Sequence, residues 1–232
     1  MTDSATLTGA PPPTAGLYDS ARDLFYAKPV LRGWMHLLWF EASLVVGTLL
    51  ITASRGAVEI SAVAVYVASV SCLFGVSALY HRGTWSPRNS MILQRLDHTM
   101  IFFLIAGTAT PAFLIAGGTY GVVCMIVLST LTVTATVIHL AWMSAPEKLV
   151  GTTFLALGWL AGMAIPAVWI NAGVAPAVLM LTGGLLYTAG AISYHRRRPD
   201  PLPAVFGYHE VFHAFVCVAA ACEYVAVTLL VV

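Results

Sequence analysis

Residues 208–232 read YHEVFHAFVCVAAACEYVAVTLLVV. The run contains no Lys or Arg, and its acidic residues are Glu210 and Glu223. A helix needs ~20 predominantly apolar residues to cross the hydrocarbon core of a bilayer. This run is long enough, so it predicts a membrane span. It opens with His209 and His213, four residues apart, which places both rings on one helix face about one turn apart. One segment thus joins a spanning helix to a pair of imidazoles.

Six further apolar runs precede it, near 34–54, 59–81, 97–117, 120–142, 150–171 and 174–194. The breaks between them are SRGAVE, RGTWSPRNSMILQR, AGGTYG, SAPEKL, NAGVAP and RRRPDPLPAVFG, each with Gly, Pro or charge. Composition agrees with a membrane chain. Of 232 residues 59% are apolar and 9% charged, against about 25% charged in an ordinary soluble domain. In water such a chain would expose large apolar patches and aggregate. Its hydrophobicity also excludes a disordered protein. The expected fold is all-α: a polytopic seven-transmembrane helix bundle over 34–232, multi-pass in the cell membrane. Pro111 and Pro166 fall inside spans and are expected to kink them. Cys72, Cys124, Cys217 and Cys222 lie in apolar runs and read as small hydrophobes, not a disulfide framework.

Residues 1–16 are small, polar and Pro-rich and read as a disordered tail, without the basic start and apolar stretch of a signal peptide. In 17–28, Leu17, Ala21, Leu24 and Phe25 recur at helical spacing opposite Arg22 and Asp23. A short amphipathic helix on the membrane surface is expected there, with 17–33 as a cytoplasmic juxtamembrane segment. No basic block is large enough to suggest nucleic acid.

Orientation follows from the Lys and Arg of the loops. With seven spans, the amino-terminal side collects Arg22, Lys28, Arg32, Arg82, Arg88, Arg95, Lys148, Arg196, Arg197 and Arg198, and the other side has Arg55. The amino terminus is therefore expected in the cytoplasm and the carboxyl terminus outside. All seven histidines then fall toward the cytoplasmic side.

Two imidazoles at i and i+4 can bind one metal ion, and a catalytic zinc site needs a third protein ligand. His81, at the cytoplasmic end of span two, is the best candidate by depth. Ser77 lies one turn before it on the same face, and Asp97 opens span three at the same level. A carboxylate there can orient a ligand histidine, or it can simply cap span three. His98 points about 100° away from Asp97 on a helix, which argues against ligation. His36 and Arg32 are expected to hold span one at the interface, and His139 and His195 also read as interfacial. Glu41 is expected to pair inside the bundle.

SALYH (77–81), RLDHTMIFFLIAGTATP (95–111), YHEVFH (208–213) and KPVLRGWMH (28–36) together resemble the hemolysin III proteins. These belong with the progestin and adipoQ receptors, which include the adiponectin receptors. The resemblance covers the chain from about residue 22 onward and implies a zinc ion held near the cytoplasmic side. The ligands it implies are His81, from an SxxxH motif, and His209 and His213, from HxxxH, with Asp97 and Ser77 at the family's aspartate and serine. It implies the same inverted topology. Related alkaline ceramidases share the metal arrangement, so a lipid amide or ester, such as a ceramide, is the substrate class it suggests. A membrane lipid, whether ceramide or fatty acid, is the expected partner. The chain departs from many relatives at Glu223, where they carry a histidine. That position faces the bundle about 15 Å beyond His213, too far for ligation.

Three other classes compete. HEVFH permits an intramembrane protease with Glu210 as general base, although Glu210 also suits the start of span seven or a cytoplasmic arginine. A pore would need a polar lining, and within the spans only Glu41 and Glu223 are charged beyond the cytoplasmic cluster. A sensor of membrane state would hold lipid in its cavity and use zinc merely to tie spans two and seven together, which fits the role in membrane homeostasis that the resemblance implies for bacterial members.

Overall fold

The computed structural model describes residues 16–19, 24–116, 118–142 and 145–232. Among them are seven helical segments long and apolar enough to cross a membrane. They are α1 (Trp34–Ala53), α2 (Ala57–Arg82), α3 (Pro87–Ala116), α4 (Gly118–Ala141), a divided fifth span, α7 (Val174–Arg196) and α8 (Tyr208–Val231). The fifth span runs as α5 (Glu147–Ala161), a 3-10 turn (Gly162–Ala164) and α6 (Ile165–Ala172). Its break has a local cause. Pro166 lacks an amide proton, and in a continuous helix its ring would meet the carbonyl of Gly162. The chain tightens to 3-10 there and restarts with Pro166 in the first turn of α6. Pro111, by contrast, is carried inside α3.

The spans fall where the apolar runs predicted, with one informative exception. Span three was expected to begin at 97, but α3 begins at Pro87. Residues 87–96 are polar on balance yet helical. Ser86 precedes the helix and its carbonyl accepts the Ser90 amide at 2.9 Å, while Pro87 suits a first-turn position that needs no N–H donor. Asp97 is therefore about 15 Å into α3, and it does not cap the helix.

A second expectation fails near the amino terminus. In place of a helix over 17–28 there is an antiparallel strand pair, Gly16–Asp19 (β1) with Leu24–Ala27 (β2), in whose backbone register Leu17 pairs with Tyr26 and Tyr18 with Phe25. Twelve residues are marginal for a helix without tertiary support, and aromatic residues favour strands. The segment 1–15 lies outside the described residues.

Two groups of buried side chains hold the bundle. Phe102, Phe113, Leu128 and Val168 join α3, α4 and the fifth span. Tyr66, Phe74, Leu104 and Val216 join α2, α3 and α8. α3 contributes to both and so lies between them. The outer faces are apolar too: Ile126, Val133 and Val137 of α4 are exposed. A face of this kind suits lipid as solvent and would be an aggregation patch in water. Glu41 is also on an outer face, contrary to the expected pairing inside the bundle. The inward face of α1 is His36, Ser43, Gly47 and Leu50, and Glu41 lies roughly 140° round the helix from His36. The four cysteines are free, Cys217 buried and Cys72 exposed.

At one end of the bundle the starts of α1 and α8 meet the end of α2. The chain before α1 is laced to the turn before α8: Val30 N–H donates to Ala204 O and Leu31 N–H to Val205 O, each at 3.1 Å. Arg32 forms a buried ion pair with Glu210. Gly33 makes the turn into α1 at φ +79°, where a Cβ would sit 2.9 Å from the His81 Cβ. Glycine is needed there both for the left-handed backbone and for the approach to His81.

Candidate metal centre

Three elements deliver the side chains expected to act together. α2 ends with Ser77 and His81 on one face, and α8 opens with His209 and His213 on one face. α3 brings Asp97 alongside. One potential ligand atom from each of His81, His209 and His213 lies within 4.8 Å of the others. The ring centroids are 4.6–4.9 Å apart. The rings stand edge to face, with interplanar angles of 63–75°. His81 and His213 are buried. His81 Nε2 is 3.6 Å from Asp97 Oδ2, and the Ser77 hydroxyl lies near the same carboxylate.

This donor set fits a metal ion. Three imidazoles with a carboxylate behind one of them match the ligand chemistry of zinc and of neighbouring transition ions. Crowded imidazoles without a shared acceptor would otherwise leave buried nitrogens unpaired.

Two residues expected chiefly to hold span one at the interface belong to this centre. The His36 ring stacks on His213 with centroids 3.7 Å apart, and its Nδ1 is 2.8 Å from Ser77 Oγ. Arg32 reaches the start of α8 through Glu210. Glu210 is also occupied in a second way: its Oε2 accepts the Gly207 amide at 2.9 Å. Both roles anticipated for Glu210 are thus filled at once, and a carboxylate so committed is not a free general base. Tyr194 of α7 closes the remaining side, its ring edge-on to His209 at 5.3 Å. No sequence spacing links His36 to spans two and seven. Its one signal was membership of the KPVLRGWMH block.

The other histidines stand apart. His98 lies by His139, their centroids 5.9 Å apart, and neither belongs to the three-histidine cluster. Glu223 is buried, away from the cluster, as its depth predicted. Just outside the spans, Lys28 donates to Gly83 O at 3.1 Å. Partial burial, and then the nearby charges of Arg32 and Arg82, hold its amine below the usual lysine range. The Arg82 guanidinium itself lies 3.6 Å over the Trp34 ring.

A family model described as haemolysin-III related matches residues 25–224, which takes in every residue of this centre. The chain belongs to the haemolysin-III-related family. Its relatives include the hemolysin-3 homolog of Bacillus subtilis (strain 168), 28% identical over 171 residues, covering 73% of this chain and 76% of the relative. Hemolysin-3 of Bacillus cereus is 31% identical over 171 residues, covering 72% and 75%. The heptahelical transmembrane protein ADIPOR2 of Oryza sativa subsp. japonica is 32% identical over 182 residues, covering 71% and 79%. The haemolysin-III-related chain thus falls within the wider adiponectin receptor-like superfamily. It is a multi-pass membrane protein, as its seven apolar helices require.

Proposed function

We propose that this protein is a metal-dependent hydrolase of membrane lipids, acting on a ceramide-like amide or an ester from the cytoplasmic side. The observation that carries the reading is the convergence of three imidazoles from two spans within 4.8 Å, next to a carboxylate 3.6 Å from one of them. Zinc held by His81, His209 and His213 would supply a Lewis acid for the carbonyl oxygen and lower the pKa of an attacking water.

The chain's own groups do the rest. Asp97 Oδ2 takes the proton as water attacks the lipid carbonyl and returns it to the leaving amine or alkoxide when that bond breaks. The Ser77 hydroxyl, beside Asp97, holds that carboxylate in one orientation. Burial among α2, α3 and α8 keeps bulk water from the reacting carbonyl. The cytoplasmic placement rests on the ten basic residues that the sequence assigns to that side of the membrane.

A second reading has an observation of its own. The three imidazoles come from both α2 and α8, so an ion there would also clamp the two helices together, as in a lipid sensor with a structural metal. Purified protein decides the matter in two steps. Elemental analysis should find about one zinc per chain in the wild type and a loss in His81→Ala larger than the 10–100-fold affinity cost typical of an outer-shell change. Equal metal in the two would sink the three-histidine site. Turnover of a lipid amide panel then separates the readings: an enzyme cleaves a member of it, and a clamp cleaves none.

A further inference from the structure

Span one gives no ligand to the cluster, yet His36 is pressed against it. It is buried, stacked on His213 at 3.7 Å and 14°, and met edge-on by Phe74 at 4.9 Å. Its Nδ1 bonds Ser77, and its Nε2 is buried with no partner among the described residues. Packing alone does not explain a histidine here. A phenylalanine would fill the space without leaving a nitrogen unpaired in a membrane interior.

His213 supplies the reason. A metal-ligating histidine ordinarily donates its second ring N–H to a carboxylate or carbonyl, which sets the plane of the ring. His213 Nδ1 has no such partner. The face of its ring is instead held by the parallel ring of His36. The same imidazole reaches Ser77 through Nδ1.

We propose that His36 is a positioning residue of the centre: one ring sets both the plane of His213 and the direction of the Ser77 hydroxyl, so span one governs how tightly spans two and seven hold a metal ion. The inference rests on the metal-binding part of the proposed function and not on hydrolysis.

The test is zinc affinity by chelator competition on the full chain in detergent, for the wild type, His36→Ala, His36→Phe and His36→Asn. His36→Ala should bind zinc about 10–100-fold more weakly. His36→Phe, which keeps the stack but not the bond to Ser77, should recover part of the affinity. His36→Asn, which keeps an amide donor near Ser77 but no ring, should not. Affinity in His36→Ala within about twofold of the wild type, below the usual range for such a partner, would overturn the proposal. So would His36→Phe binding no better than His36→Asn, the comparison that decides if the alanine variant does not fold. A wild type that binds no zinc overturns this proposal together with the metal centre. A wild type that binds zinc but cleaves no lipid removes only the hydrolase, and the affinities still decide the role of His36.

Discussion

Two of the buried polar groups of α8 lie ten residues, or roughly 15 Å, apart: His213 near one end and Glu223 in the other half. Both are well shielded, at 1% and 6% exposure. Their company differs. Around His213 stand His36, His81 and His209, with Ser77 and Asp97 behind them and the Arg32–Glu210 pair beside. Glu223 has Gly183 against it, with no side chain to offer, and Tyr66 and Tyr187 near it, yet its carboxylate oxygen Oε2 has no hydrogen-bond partner among the described residues. The Tyr66 hydroxyl is also without one. In a membrane interior, burial of a polar atom is therefore a poor guide to a site. What distinguishes the first region is complementary groups arriving from α1, α2, α3 and α8 at one point.

Substitutions can break that contrast, beginning with the largest. Glu210→Ala leaves Arg32 buried without its partner and should cost about 3–5 kcal/mol, read as loss of thermal stability in detergent. An apolar replacement of both partners should restore much of it. Asp97→Ala should keep the metal yet lower lipid turnover by roughly 10²–10⁴-fold, measured on protein of known zinc content; unchanged turnover would take the proton-handling role away from Asp97. In the other region, the Cβ of Gly183→Ala would sit 2.6 Å from Glu223 Oε1. That overpacking should cost about 1–3 kcal/mol, and combining it with Glu223→Ala should relieve it. The smallest effect belongs to Glu223→Gln, which keeps volume and removes only the chance of charge. It should shift stability by less than about 1 kcal/mol and leave zinc content untouched. A marked fall in zinc would show that the two halves of α8 are coupled.

The seven spans were legible because lipid demands long apolar runs, and local composition reports that demand directly. The start of α3 was not, because hydropathy marks the stretch that lipid can cover and not the length of the helix. Ser86–Pro87 was the better signal. The helix expected at 17–28 rested on too few turns for a period to exclude an alternative. At the site, His209 and His213 announce themselves by spacing, and His81 by its depth and the SALYH block. His36, Arg32 and Tyr194 meet them only across helices, and no local interval encodes a contact of that kind.

The lacing of residues 30–32 to residues 204–210 joins the first span to the last. In a chain made from its amino terminus, Arg32 leaves the ribosome long before Glu210, and the amides of Val30 and Leu31 wait for carbonyls that do not yet exist. His36 and His81 likewise sit without His209 and His213 until the seventh helix is inserted. The three-histidine cluster is thus a report of completed biogenesis: a chain halted after six helices has the first imidazoles in place and nothing to close them.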